Sequence, residues 1–178
     1  MIELEYSEIK TKRLLLRSFN VNDLENVFKG LSDPDVIKYY GISYQTLASA
    51  KEQMLFFKDL ETAKTGKWWA ICSLDNKIFF GAGGLNNVCA KHRKGEIGFW
   101  LLKDFWGQGI ISESIPLICK YGNENLGLHR IEAFVESENL NSKKALANSN
   151  FKYEGTMKDC EIKNGHFISV EIFAQLKL

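Results

Sequence analysis

Apolar and polar positions along the chain switch between two periods, and the switches outline the elements. Residues 13–19, RLLLRSF, form a short apolar run with polar tips that predicts a strand. The spacing Leu24, Val27, Phe28, Leu31 then fits one face of a helix, with Asn20 and Asn22 as available side-chain caps. SDPD at residues 32–35 ends that helix, because the residue before Pro34 is disfavoured in the helical region. A second helix is predicted over about 47–63, with Met54, Leu55 and Phe57 among its apolar positions, closed by KTG.

From Trp68 the pattern becomes strand-like: WWAICSL, a DNK turn, IFFGAGGLNNV, the basic loop AKHRKG, and EIGFWLL. Short connections predict an antiparallel meander. An apolar-patterned helix follows through Ile111, Ile115, Ile118, Cys119 and Leu126, then a strand HRIEAFV. A cap-rich stretch ESENLNS leads into a short helix KKALANS, and two strands close the chain, one around Phe151 and one over about 167–177. The order, βα α βββ α β α ββ, predicts one α/β (α+β) domain spanning residues 1–178, with a mixed, mostly antiparallel sheet flanked by helices.

Composition narrows the function only by exclusion. With 178 residues, 45% hydrophobic, 25% charged and a net charge of +1, no global field draws the chain to nucleic acid or an anionic membrane. The amino terminus is charged rather than apolar, and no window approaches a membrane span, so a cytoplasmic protein is expected. Cys72, Cys89, Cys119 and Cys160 show neither a CxxC pair nor zinc spacing, so no metal is expected.

One stretch carries chemistry. DFWGQGIISESI, residues 104–115, leaves a strand and opens a helix, where unpaired N–H groups and the helix dipole favour an anion. Gly107 and Gly109 permit left-handed backbone and close approach of a phosphate. The turn lacks the GK[ST] ending of a P-loop and, with Ser112, the third glycine of a dinucleotide fingerprint. GAGG, residues 81–84, has no helix after it and predicts a bulge or the close approach of a neighbour.

The stretch GEIGFWLLKDFWGQGIISESI resembles the strand, pyrophosphate loop and helix of the GNAT N-acetyltransferase superfamily. Together with NLGLHRIEAFV, NLNSKKALANSNFKYEGTMKD and the early IKTKRLLLRSFNVNDLENVFKGLSDPDV, it is most similar to the RimJ/RimL-like branch of ribosomal-protein N-terminal acetyltransferases. The resemblance implies a GNAT-like fold and acetyl-CoA as cofactor. It places Trp106, Gly107, Gln108, Gly109, Ile110, Ile111 and Ser112 around the pyrophosphate, and Phe99, Trp100 and Leu101 along the pantetheine arm, with Gly98 compatible with a bulge that splays the strand. Trp106 stands where the family often has Arg or Gln, and Ile111 where a small residue is common.

For the chemistry, Glu96 is the general-base candidate; next to Arg93 and Lys94 it also suits a surface ion pair. The tyrosine that many relatives use as general acid corresponds to Leu146 here, and the branch's serine substitute corresponds to Ser142. Ser142 and Asn141 equally suit a helix cap. Asn139 matches the family's cofactor-contacting asparagine, or is a turn residue; Asn150 replaces a glycine and tolerates a left-handed turn. The three histidines form no catalytic set, though His166 and Phe167 are placed to line the acceptor end. Trp68, Trp69, Trp100, Phe105 and Trp106 read mostly as core, with Trp100 or Trp106 able to flank the channel.

The expected activity is direct acetyl transfer to a primary amine, preferably the α-amine of a protein or peptide. A small amine such as an antibiotic, polyamine or amino acid is the alternative, and a non-catalytic acyl-CoA sensor the alternative of another class. Monomer and homodimer are both open. Residues 39–64 and 159–167, which would face the acceptor, carry no readable motif.

Overall fold

The structure, a computed structural model, describes residues 8–177; the charged amino terminus read from the sequence lies largely outside them. Among the described residues, eight strands form one sheet in the order β1-β2-β3-β4-β5-β6-β8-β7. They are β1 (Ile9–Lys10), β2 (Leu14–Arg17), β3 (Lys67–Ser73), β4 (Phe79–Cys89), β5 (Lys94–Leu101), β6 (Arg130–Glu136), β7 (Lys152–Lys163) and β8 (His166–Leu176). The helices are α1 (Leu24–Ser32), α2 (Pro34–Ile37), α3 (Leu47–Thr62), α4 (Ile110–Glu124) and α5 (Leu140–Asn148). Every neighbouring pair is antiparallel except β5 and β6.

Strand alternation splits the apolar residues between two layers. Leu14, Leu16, Trp69, Ile71, Ile97 and Leu101 face α4 and α5, where they meet Ile110, Ile115, Ile118 and Leu146. Leu15, Trp68, Ala70, Cys72 and Trp100 face α1 to α3, meeting Val27, Leu31, Ala50 and Phe57. The adjacent pair Trp68 and Trp69 therefore serves opposite cores. Burial pushes the Cys72 thiol up to about 11 and the Cys119 thiol up to about 12, so neither is a nucleophile at neutral pH.

Local signals act as the sequence implies. Asn20 caps the turn before α1 in a reciprocal box with Asp23. Asp33 is extended, and Pro34 then opens the short α2 that the sequence pattern did not show. The meander of β3, β4 and β5 is present. In GAGG the close-neighbour reading applies: a Cβ on Gly84 would stand 2.4 Å from the Lys67 carbonyl oxygen.

Two expectations need correction. The α5 helix starts at Leu140, not at residue 143, because Asn139 is its N-cap, with its side chain accepting from the Ser142 N–H at 3.1 Å. Ser142 is thus the third helical residue, and neither it nor Asn141 is the cap. Gly98 is not at a bulge: the register of β4 and β5 runs unbroken from Gly81 opposite Leu101 to Asn86 opposite Glu96, and the irregularity lies beyond, between Asn86 and Cys89. Gly98 is there for space, since its Cβ would lie 2.8 Å from Cζ2 of Trp68.

Candidate active site

The parallel strands β5 and β6 pair only through Lys94 with Arg130, Gly95 with Ile131 and Glu96 with Glu132. Beyond Glu96 they part, because β6 continues its antiparallel pairing with β8 from Arg130 to Glu136 while β5 stays with β4 up to Leu101. The result is a wedge between two strands that point the same way. Each strand feeds a helix at its carboxyl end, β5 through the glycine loop into α4 and β6 through residues 137–139 into α5.

Backbone groups along this wedge can be assigned from strand alternation. The Leu102 N–H donates to the Phe80 carbonyl at 2.9 Å, so even-numbered residues of β5 exchange hydrogen bonds with β4 and odd-numbered ones turn theirs to the wedge. Among the three residues expected there, Phe99 and Leu101 therefore offer main-chain groups, whereas Trp100 is spent on Ala82. Ile97, missed in the sequence, joins them. The Leu101 carbonyl is already engaged by the Trp106 indole N–H at 3.0 Å, which pins the loop to the end of β5 and gives this departure from the family pattern a structural use. Trp106 is 42% exposed and Trp100 only 4%, so of the two only Trp106 is placed to flank a ligand with its ring.

Gly107 and Gly109 both have φ of +72°. Gly109 caps α4 without any side-chain hydrogen bond, and the first intrahelical bond runs from the Glu113 N–H to its carbonyl at 3.1 Å. The N–H groups of Ile110, Ile111 and Ser112 thus have no acceptor within the helix. Nothing lies within 4 Å of where a Gly107 Cβ would stand. Ile110 is buried and Ile111 packs against the core below α4, so only their main chain and the exposed Gln108 and Ser112 face outward.

Glu96, Glu132 and Glu136 lie on one face of the sheet, since paired and alternate strand residues share a side. Lys94 and Arg130 neutralise Glu132, at 3.1 and 2.7 Å, and Lys163 neutralises Glu136 at 2.5 Å. Glu96 makes no ion pair among the described residues; Lys94 has gone to Glu132, and the Arg93 Nε donates to the Gly127 carbonyl. Its partner is neutral: the Asn87 side-chain amide donates to Oε2 at 2.8 Å from the irregular end of β4, where Asn87 has φ of +51°. An uncompensated carboxylate thus stands where the wedge opens. Ser142 sits half-buried in the first turn of α5, across the wedge from the loop. The same sheet face opens on a cleft of about 590 Å³ between α2 with its following loop and the β7–β8 hairpin, lined in part by Lys38, Tyr40, Ile42, Glu136, Glu161 and Lys163. His166 begins β8 and Phe167 is largely exposed beside it.

Leu146 is fully buried, so the position matching the relatives' tyrosine points into the core. Leu146→Tyr is expected to lower stability by about 1–3 kcal/mol through overpacking, without raising turnover. A thermal melt beside a rate measurement checks this; faster turnover in the variant would show that the position reaches the wedge.

A wedge between parallel strands, ending on two helix N-termini, is the arrangement that the GNAT resemblance implies for holding coenzyme A. The chain belongs to the GNAT acetyltransferase family: residues 13–152 match the model described as acetyltransferase (GNAT) domain. It is 33% identical over 168 residues, 94% of each chain, to the uncharacterized N-acetyltransferase p20 of Bacillus licheniformis. A GNAT-family acetyltransferase structure from Bacillus anthracis superposes with a TM-score of 0.82 at 25% identity, covering 96% of this chain and 98% of the other. The structure titled RimL, a ribosomal L7/L12 α-N-protein acetyltransferase in complex with coenzyme A, shares the fold with a TM-score of 0.86 at 19% identity over 96% and 98%. The chain is an acetyl-CoA-dependent N-acetyltransferase.

Proposed function

We propose that the chain transfers acetyl directly to the α-amine of a peptide or protein N-terminus, with Glu96 as general base and Ser142 as general acid. The observation that carries this reading is the parting of β5 and β6 immediately after an uncompensated carboxylate. The residues fit the cofactor: Gly107 leaves open space, α4 begins without a side-chain cap, and the β5 edge is unpaired. Trp106 to Ser112 would hold its pyrophosphate, the main chain of Ile97, Phe99 and Leu101 its pantetheine arm, and Asn139 the far wall of the wedge. When bound, acetyl-CoA supplies an acetyl group activated as a thioester.

Glu96 takes a proton from the incoming ammonium, directly or through one water, while Asn87 orients its carboxylate. Ser142 holds a hydroxyl near the start of α5 that would supply a proton to a thiolate leaving group, with water restoring the proton to the serine oxygen. An α-amine with a pKa of about 7.8 is already partly neutral at pH 7, whereas a lysine near 10.4 costs roughly 3.5 kcal/mol more to deprotonate. A base held by a single neutral partner suits the easier substrate. The open cleft also accommodates an extended chain better than an enclosed ligand, and with Lys38 and Lys163 balancing Glu136 and Glu161 on its wall it selects for no particular charge.

The test is calorimetric titration with acetyl-CoA, followed by thiol release against N-terminal peptides and small amines. Micromolar binding with peptide-selective release is expected. Release on small amines alone would overturn the acceptor class, and binding without release on any amine would leave a sensor.

A further inference from the structure

Glu113 stands in the first turn of α4, beside the N–H groups that an anion at the glycine loop would use. A carboxylate there complements the helix dipole but repels a phosphate. The structure meets this conflict from the turn between β1 and β2, 100 residues earlier in the chain. Thr11 Oγ1 donates to Glu113 Oε1 at 2.6 Å, and Arg13 Nε donates to Oε2 at 2.7 Å, so both carboxylate oxygens are engaged. Burial pushes the Glu113 carboxyl up, but the hydrogen bonds from Thr11 and Arg13 and the Arg13 charge outweigh it and hold it below its ordinary range. Glu113 is therefore charged at neutral pH.

The same guanidinium reaches the loop itself. Its Nη1 donates to the Gln108 carbonyl at 3.1 Å, and its Nη2 lies 3.5 Å from where a Gly109 Cβ would stand. In a trans peptide the carbonyl and the following N–H point to opposite sides. Holding the Gln108 carbonyl against Arg13 thus turns the Gly109 N–H to the loop's other side.

We propose that Arg13 is a positioning residue for the cofactor: it cancels the Glu113 charge beside the loop and fixes the Gln108–Gly109 peptide with its N–H directed at the pyrophosphate. The inference rests on assigning the glycine loop to coenzyme A. One arginine links three features that are remote in sequence, the β1–β2 turn, the loop and the first turn of α4, and resolves a charge that would otherwise oppose the ligand.

Calorimetric titration of the full-length protein with coenzyme A, on the wild type, Arg13→Gln, Glu113→Gln and the double variant, tests it. Arg13→Gln is expected to weaken binding about tenfold, Glu113→Gln to bind at least as tightly as wild type, and the double variant to recover to within about threefold of Glu113→Gln. That recovery separates charge cancellation from a merely structural brace. Wild-type affinity in Arg13→Gln, or a deficit undiminished in the double variant, overturns the proposal. Should Arg13→Gln not fold, Glu113→Gln decides alone: weaker binding overturns the proposal and equal or tighter binding supports it. Wild-type protein that fails to bind coenzyme A, or unchanged binding in Gly109→Val, sinks the loop assignment whatever the arginine variants do.

Discussion

Gly109→Val is expected to raise the dissociation constant for coenzyme A by about a hundredfold or more while leaving the sheet intact. Gly109 is the left-handed N-cap of α4, with φ of +72° and ψ of 11°, and a non-glycine residue there costs about 1–2 kcal/mol, more when β-branched. An added Cβ would stand in ordinary contact with Arg13, 3.5 Å from Nη2, so it is the γ-methyls of valine, reaching beyond it, that would crowd the guanidinium. Relief of both strains moves the same peptide groups that the loop presents to an anion. Gly107→Ala provides the graded control: its φ is also +72°, but its surroundings are open, so only the conformational cost of about 1 kcal/mol remains, a loss of about fivefold. Calorimetric titration reads both, with far-UV circular dichroism to confirm the fold. Unchanged affinity in Gly109→Val would remove the glycine loop from the cofactor site.

The glycine loop was legible because its requirements are local. A strand, two left-handed glycines and a helix without a side-chain cap all occur within residues 94–124, and each leaves a mark in the sequence. The meander was legible for a related reason: Trp68 and Trp69, buried on opposite faces, mark a strand covered on both sides. By contrast β7, with Lys152–Lys163 almost wholly exposed, has no buried face to impose a period of two. It is an edge strand dense in charge, with two register shifts, and it shows in the sequence only as a short run around Phe151. The same exposure leaves residues 159–167, expected to face the acceptor, without a periodic signal, because no core constrains them.

The wedge was harder still. Which β5 groups face β6 depends on the hydrogen-bond phase set by Leu102 and Phe80, so Ile97 and Trp100 exchange roles with nothing in their side chains to show it. The ion pair considered for Glu96 was likewise undecidable from adjacency. Lys94 and Arg93 find partners in β6 and in the turn before it, brought near only by the parallel pairing.

Glu96→Gln is expected to lower kcat by about 10²–10³-fold at pH 7 with a lysine-like amine, and by less with a peptide α-amine. Coenzyme affinity should not change, since Glu96 lies at the opposite end of the wedge from the glycine loop. The argument turns on the row of carboxylates across β5 and β6. Glu132 and Glu136 are held by Lys94, Arg130 and Lys163, so their charges are committed, and only Glu96 meets a neutral donor, the Asn87 amide. Glutamine keeps the shape and loses the ability to accept a proton. The pH dependence separates this from a purely structural loss: as pH rises above about 8 the α-amine becomes neutral without help, so the deficit against a peptide should shrink. A lysine near 10.4 still needs the base at that pH, and its deficit should persist. Steady-state rates with both amines between pH 6.5 and 9.5 give the comparison. A deficit that is the same for both amines at every pH would make Glu96 a structural residue and leave the amine to lose its proton to solvent.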